Sequence, residues 1–201
     1  MSIAEQEVTI DTQALEAIFA SSRTANAFTG EVSDEQARAI YELAKSGPTA
    51  FNSQPLRVTY VRSAEARAQL VEALMPGNRE KTAAAPLVAV LSYDTSWHER
   101  WEDFLPGYTA PKAMYDADAE FTAATGNNNA HLQAGYFILA VRSLGLAAGP
   151  MTGADFSAID QAFFPNGEQK SFLVVNIGQP AADQIGAPKE RFAYDEVVRT
   201  V

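Results

Sequence analysis

The chain contains no cysteine. That excludes disulfides, thiolate metal ligands, cysteine nucleophiles and a thioether-linked flavin, and it agrees with a reducing compartment. Histidine is almost as scarce, with only His98 and His131 in 201 residues. The two lack the His-x-x-x-His spacing of a helical metal pair, so no metal site is expected. No G-x-S-x-G supplies a nucleophile elbow for a Ser-His-Asp triad, and both histidines are read as packing or surface residues. No apolar run approaches the roughly 18 residues of a membrane span. The start, "MSIAEQEVTIDTQ", lacks the basic-then-apolar layout of a signal peptide, so a soluble, cytoplasmic protein is expected. Basic residues are outnumbered 15 to 25, for a net charge of -10. Nucleic acid is therefore an unsuitable partner, whereas a small phosphorylated ligand needs only a few local cations. Neither G-x-G-x-x-G after a strand nor G-x-x-x-x-G-K-[ST] occurs, which removes the usual dinucleotide and P-loop signatures.

The residues that are present describe an ordinary globular chain, 47% apolar and 20% charged. One domain over residues 1–201 is expected, with residues 1–10 flexible or extended. "DTQALEAIFA" has helical spacing after Asp11 or Thr12, and "SSRTANAFTGE" reads as a loop. "SDEQARAIYELAKSG" is a helix capped by Ser33 or Asp34, with Ala37, Ile40, Tyr41 and Ala44 on its apolar stripe and Gly47-Pro48 as its stop. "RVTYVRS" alternates like a strand, "AEARAQLVEALM" is a short helix ended by Pro76-Gly77, and "LVAVLSYD" is a buried strand. Residues 95–125 read as short helices forming a lid or wall. "NNNAHLQAGYFILAVRSLGL", capped by Asn127 to Asn129, is apolar all round, as in a central or interfacial helix. "GPMTGAD" reads as a turn-rich loop, "FSAIDQAFF" as a helix, "SFLVVNIGQP" as a strand, and "FAYDEVVRTV" as a tail with strand character. Helices and strands mix without a βαβ rhythm, so the fold class is α+β.

Four places carry chemistry. "KSGPTAFNSQPLR" gathers Thr49, Asn52, Ser53 and Gln54 at the mouth of a strand, a neutral hydrogen-bonding set suited to a polar ligand face. Arg23, in a loop near the start, and Lys189 and Arg191, near the end, could converge on a phosphate through charge-assisted hydrogen bonds. Asn78 and Lys81 stand one helical turn apart, an amide beside an ammonium, suited to the carbonyl-rich edge of a heterocycle. Gly149 to Gly153, "GPMTG", would let backbone N–H groups approach a flat ligand. The acids Asp94, Glu99, Glu102 and Asp103 are read as a solvated face.

Taken in order, these pieces resemble the FMN-dependent nitroreductase family over about Leu15 to Val198. "SSRTANAF" is similar to its N-terminal phosphate loop and "GPTAFNSQPLR" to its signature segment. "NREK" resembles its flavin-edge pair, "GPMTG" its Pro-x-x-Gly loop beside flavin N5, and "PKERFAYDEVV" its closing Lys-x-Arg clamp. The pairing of "GPTAFNSQP" with "GPMTG" looks closest to the malonic semialdehyde reductase-like subgroup.

The resemblance implies a three-layer α/β/α sandwich with a mostly antiparallel mixed sheet, in a homodimer with an extended C-terminal arm. It implies that Arg23, Lys189 and Arg191 hold the FMN phosphate, and that Thr24 and Ala25 line the ribityl and ring region. Pro48, Thr49, Ala50 and Asn52 would reach the flavin of the partner subunit. Asn78 and Lys81 would face the pyrimidine edge. Pro150, Met151, Thr152 and Gly153 would lie near N5, with backbone donation from Thr152 or Gly153. Many members carry an acid where Thr152 stands, so contacts there differ. The flavin would carry the chemistry, with no catalytic side chain required. NADH or NADPH would deliver hydride, and a nitroaromatic, quinone or small aldehyde would take it in turn. Competing readings are a 3-oxo acid reductase, with Arg57 and Lys112 as candidate cations at the acceptor side, a flavin-binding protein with little turnover, and an α+β domain for another phosphorylated ligand.

Overall fold

The structure is a computed structural model that describes residues 10–21, 23–108, 110–181, 187 and 189–201. Most of the expected flexible N-terminus, residues 1–9, lies outside the described residues. Chain order begins with α1 (Thr12–Leu15), which continues as a π-helical turn (Glu16–Ala20), then β1 (Phe28–Thr29), α2 (Asp34–Ala44) and β2 (Leu56–Val61). Next come α3 (Ala64–Glu72), α4 (Pro76–Ala83) and β3 (Leu87–Asp94). A 3-10 turn (Trp97–Arg100), α5 (Trp101–Phe104) and α6 (Ala110–Ala117) lead to α7 (Ala119–Ser143). The remainder is β4 (Ala147–Met151), α8 (Phe156–Phe163), β5 (Gln169–Pro180) and α9 (Tyr194–Val197).

β5 is the hub of the sheet, pairing with β1, β3 and β4, while β2 pairs with β3. Every strand pairing among the described residues is antiparallel. The two-residue period of β3 then builds the layers. Leu87, Ala89 and Leu91 pack with Ile40, Phe137 and Val141 of α2 and α7. Val88 and Val90 point the other way, against Leu70 of α3 and Ile159 of α8. With helices on both faces, the result is the α/β/α sandwich of the α+β reading.

Several local expectations are corrected. Asn127 to Asn129 do not cap a helix; α7 starts earlier, where the Asp118 carboxylate accepts the Phe121 N–H. The helix runs through Gly126, where it packs closely on the wall: a Cβ on Gly126 would stand 2.6 Å from Trp97 Nε1. "GPMTG" is not simply a loop. Its Gly149 to Met151 form the end of β4, and Pro150 is tolerated because, among the described residues, β4 pairs only with β5. Pro76 does not end the preceding helix, which stops at Glu72; it occupies the first turn of α4, where its missing N–H costs nothing. The first loop contains the short strand β1, and the tail carries the helical turn α9 rather than a strand.

Ser33 and Gln36 form the capping box that starts α2. Across the layer, Tyr60 donates its hydroxyl to Ala37 O at 2.9 Å. Burial pushes the Tyr60 phenol up to about 12 from an ordinary value of 10.0. The folded state thus favours the neutral phenol, and this stabilisation is complete below about pH 10 and lost as pH rises through about 12. Alkaline unfolding of Tyr60→Phe should fall less steeply across that window, and identical pH profiles for the two proteins would refute the linkage.

Candidate functional site

The first cluster lies where the loop after α1 crosses the sheet edge. A Cβ on Gly149 would come within 2.8 Å of Ala25 O, so the chain passes this close only because residue 149 is glycine. That contact carries Arg23, Thr24 and Asn26 past β4. From the other side, α4 presents two side chains one turn apart. Asn78 Nδ2 donates to Gly153 O at 2.9 Å, and Lys81 Nζ donates to Asn26 Oδ1 at 3.4 Å. Met75 N also donates to Gly153 O, at 3.0 Å. Gly153 is tightly enclosed, since a Cβ there would stand 2.6 Å from Asn78 Nδ2. The structure therefore brings Ala25, Asn78, Lys81 and Gly153 into one region, and adds Asn26, which pattern alone did not single out.

The neighbours of these residues divide by burial. Met151 is buried, with Sδ 3.9 Å from Thr82 Oγ1, so its side chain belongs to the core. Thr152 is exposed and Pro150 half-buried. Behind them, Asn176 Nδ2 donates to Thr82 Oγ1 at 3.1 Å, which ties β5 to α4 inside the core.

Arg23 donates from Nη1 to Ala20 O at 2.8 Å. Beside it is a cavity of about 240 Å³ whose polar lining comes from Ser21, Arg23, Thr24 and Arg142. Among the described residues none of those lining it is acidic, and two guanidinium groups border the one space. Arg142 Nη1 reaches Ile18 O at 3.4 Å, and burial lowers its pKa by penalising the charged form. Lys189 and Arg191 do not line this cavity. Both are exposed, and Arg191 Nη1 donates to the carbonyls of Lys189 (3.1 Å) and Glu190 (2.9 Å).

The second cluster is the segment after α2. Phe51, Asn52 and Gln54 have φ of 53°, 54° and 46°, a left-handed conformation in three non-glycine residues. Each costs about 1–2 kcal/mol, less for asparagine, and must be held in place by its surroundings. Thr49 Oγ1 accepts from Gln54 N at 3.2 Å. Asn129 Oδ1 of α7 accepts from Ala50 N at 2.7 Å, and Gln133 Oε1 accepts from Leu56 N at 3.0 Å. Pro48, Ala50 and Asn52 remain exposed. Phe51 packs against Trp101 and Tyr108, with ring centroids 5.3 and 6.1 Å away. Of the residues 95–125 expected to form short helices and a wall, the described ones up to 117 do so against this segment, whereas 119–125 are the first turns of α7.

The charged residues of that wall are engaged with one another. Asp94 is not on a solvated face; it forms a half-buried ion pair with Arg57, which also donates to Gln54 O and Leu56 O. His98 Nε2 lies 3.7 Å from Glu99 Oε1 and 3.6 Å from Asp116 Oδ1, a grouping that could hold a metal ion. Lys112 Nζ, however, donates to both Asp116 oxygens (2.7 and 2.9 Å) and lies 3.4 Å from Glu99 Oε2, so an ammonium already balances these carboxylates. His131 stacks on Phe172 with centroids 4.1 Å apart, the packing role expected of it.

Comparison with known proteins bears on the family and the fold. The profile of the nitroreductase family matches residues 23–179. A Streptomyces coelicolor protein provisionally named NADH dehydrogenase/NAD(P)H nitroreductase is 49% identical over 193 residues, covering 96% of this chain and 98% of its own. A Rhodopseudomonas palustris protein of the same provisional name is 39% identical over 188 residues, covering 93% and 95%. Among solved structures, an Exiguobacterium sibiricum nitroreductase-type protein in complex with FMN superposes with a TM-score of 0.85 at 19% identity, covering 97% of this chain and 100% of the other.

Proposed function

The chain belongs to the nitroreductase family, and we infer that it is an FMN-dependent NAD(P)H oxidoreductase that passes hydride to a small acceptor such as a nitroaromatic or a quinone. The observation that carries this reading is the meeting of the first loop, Asn78, Lys81 and Gly153 at one sheet edge. The donor set suits the flavin. The Lys81 ammonium and the Asn78 amide are matched to a ring edge rich in carbonyls, and the cavity between Arg23 and Arg142 is matched to a phosphate monoester.

When bound, FMN supplies the two-electron chemistry, accepting hydride from NADH or NADPH and giving it to the acceptor. The protein's part is binding, orientation and charge. Arg23 would hold the phosphate at this cavity, and Lys189 and Arg191, which stand exposed outside it, would have to close on the phosphate from the tail, with Thr24 and Ala25 beside the ribityl chain and ring. Lys81 would place a positive charge at the pyrimidine edge, which would favour the negative charge that accompanies reduction. Thr152 and Gly153 would present backbone N–H groups at the reacting edge, next to Pro150 and Met151.

The reading includes a homodimer in which Pro48, Thr49, Ala50 and Asn52 of one subunit meet the cofactor of the other. Two exposed apolar surfaces support it. Leu132 and Tyr136 on α7 are 47% and 39% exposed, and the tail exposes Phe192, Tyr194 and Val197. Such residues suit burial against a second copy, with the tail as its arm. The cytoplasm, where NADH and NADPH occur, is the compartment this chemistry requires. No helix among the described residues is long and apolar enough to cross a membrane. The 3-oxo acid alternative would require a cation for the acceptor's carboxylate. Its two candidates are already engaged, Arg57 with Asp94 and Lys112 with Asp116 and Glu99.

Anaerobic mixing of the FMN-loaded protein with NADH or NADPH should bleach the visible flavin band rapidly, and a nitroaromatic or quinone should restore it. A protein that stays colourless after FMN addition would overturn the reading, and a flavin that neither donor reduces would reduce it to simple flavin binding. Arg191→Ala should weaken FMN binding by on the order of 2 kcal/mol, as expected for one charge-assisted contact. Unchanged affinity would remove Arg191 from the phosphate site.

A further inference from the structure

We propose that Asn129 and Gln133 are positioning residues, a clamp on α7 that holds the left-handed segment Phe51–Gln54 in shape and thereby sets cofactor affinity. The proposal rests on the reading that Pro48 to Asn52 meet FMN. Its two hydrogen bonds bracket the strained residues. Asn129 Oδ1 holds Ala50 N at 2.7 Å, immediately before Phe51, and Gln133 Oε1 holds Leu56 N at 3.0 Å, two residues after Gln54. The two side chains stand four residues apart and so share one face of the helix. A third contact lies three residues further along that face, where Tyr136 packs so closely on Gly47 that a Cβ there would meet its ring at 2.8 Å.

The clamp is itself oriented. Asn129 Nδ2 donates to Thr125 O at 2.9 Å, one turn back on α7, which fixes the amide with its oxygen toward Ala50. Gln133 is 4% exposed, so water cannot readily take its place at Leu56 N. The segment's internal bonds, from Asn52 N to Thr49 O (3.1 Å) and from Ser53 N to Ala50 O (3.1 Å), form one tight turn. They do not tie that turn to the body of the protein; the α7 amides hold its backbone N–H groups at both ends, beside the packing of Phe51 on Trp101 and the Arg57 bond to Gln54 O. A loop with three left-handed residues and no such anchors would relax toward ordinary backbone and withdraw Thr49, Ala50 and Asn52 from their places.

The experiment compares wild type, Asn129→Ala, Asn129→Asp and Gln133→Met by FMN titration and by amide hydrogen exchange, with thermal melting as a control. Asn129→Asp keeps the acceptor oxygen for Ala50 N but loses the donor to Thr125 O, so it should weaken FMN binding less than Asn129→Ala does. Asn129→Ala should speed exchange at Ala50 and weaken FMN binding about tenfold, the worth of one well-placed hydrogen bond. Gln133→Met should act in the same way at Leu56 and keeps the proposal testable if Asn129→Ala folds poorly. Unchanged exchange at Ala50 and Leu56 overturns the clamp. Faster exchange with FMN affinity within twofold of wild type overturns its link to the cofactor, as does a loss in Asn129→Asp equal to that in Asn129→Ala. If wild type itself takes up no FMN, both the functional reading and this link fall, and that outcome is distinguished by appearing before any substitution is made.

Discussion

Phe137→Ala is expected to destabilise the protein by about 3–5 kcal/mol, the range for removing a fully buried aromatic side chain. Phe137 is 0% exposed and packs between α7 and the sheet, among Ile40, Leu91 and Val175. The surrounding strands are fixed by their own ladders, so the space would not close, and the lost contacts would add to the lost burial. For a domain of this size the melting temperature should fall by on the order of 10 °C. Calorimetry checks this directly. A shift of only a degree or two would mean that α7 does not pack on the sheet through this residue.

Gly149→Ala is the second large effect, and it acts on the site as well as on stability. The new methyl group would stand 2.8 Å from Ala25 O, 3.4 Å from Phe28 Cζ and 3.5 Å from Asn176 Cβ. The nearest of these is backbone, and β4 is held by its ladder to β5, so the loop carrying Arg23 and Asn26 must move. Overpacking of this kind costs about 1–3 kcal/mol. FMN affinity should fall more than the roughly tenfold of a single lost contact, because the whole loop shifts. Urea unfolding and FMN titration separate the two losses. Gly77→Ala is the internal control: it lies in α4 with nothing within 4 Å of the new methyl, and should be neutral or stabilising. If Gly149→Ala behaves like Gly77→Ala, the close passage of the first loop over β4 is wrong.

Much of the architecture was legible because its signals are local. The "LVAVLSYD" run is β3 residue for residue, since an apolar stretch bounded by Pro86 at one end has few other uses. Ser33 announced α2 as a candidate cap, and the capping box it forms with Gln36 needs four residues and no tertiary contact. The failures share the opposite property. The Asn127 to Asn129 run looked like a cap, but the helix reaches back to the Asp118 cap, and Gly126 inside it leaves room for Trp97. "GPMTG" looked like a turn, but β5 supplied a partner for a strand that contains a proline. Tyr41 fell on the apolar stripe of α2 by spacing, yet it is 47% exposed, because the stripe is wider than the surface it covers.

The site divides in the same way. Asn78 and Lys81 were legible because one helical turn must put them on one face, and the tight place of Gly153 follows from its lacking a side chain. Asn26, Asn129 and Gln133 were not legible, because their partners Lys81, Ala50 and Leu56 lie 55, 79 and 77 residues away along the chain. The amino-acid order alone determined most of the kinds of element and the family likeness, since each depends on residue type and short-range spacing. Only the folded chain decided which polar groups meet, because a hydrogen bond depends on distance in space and long-range neighbours are chosen by how the helices pack on the sheet.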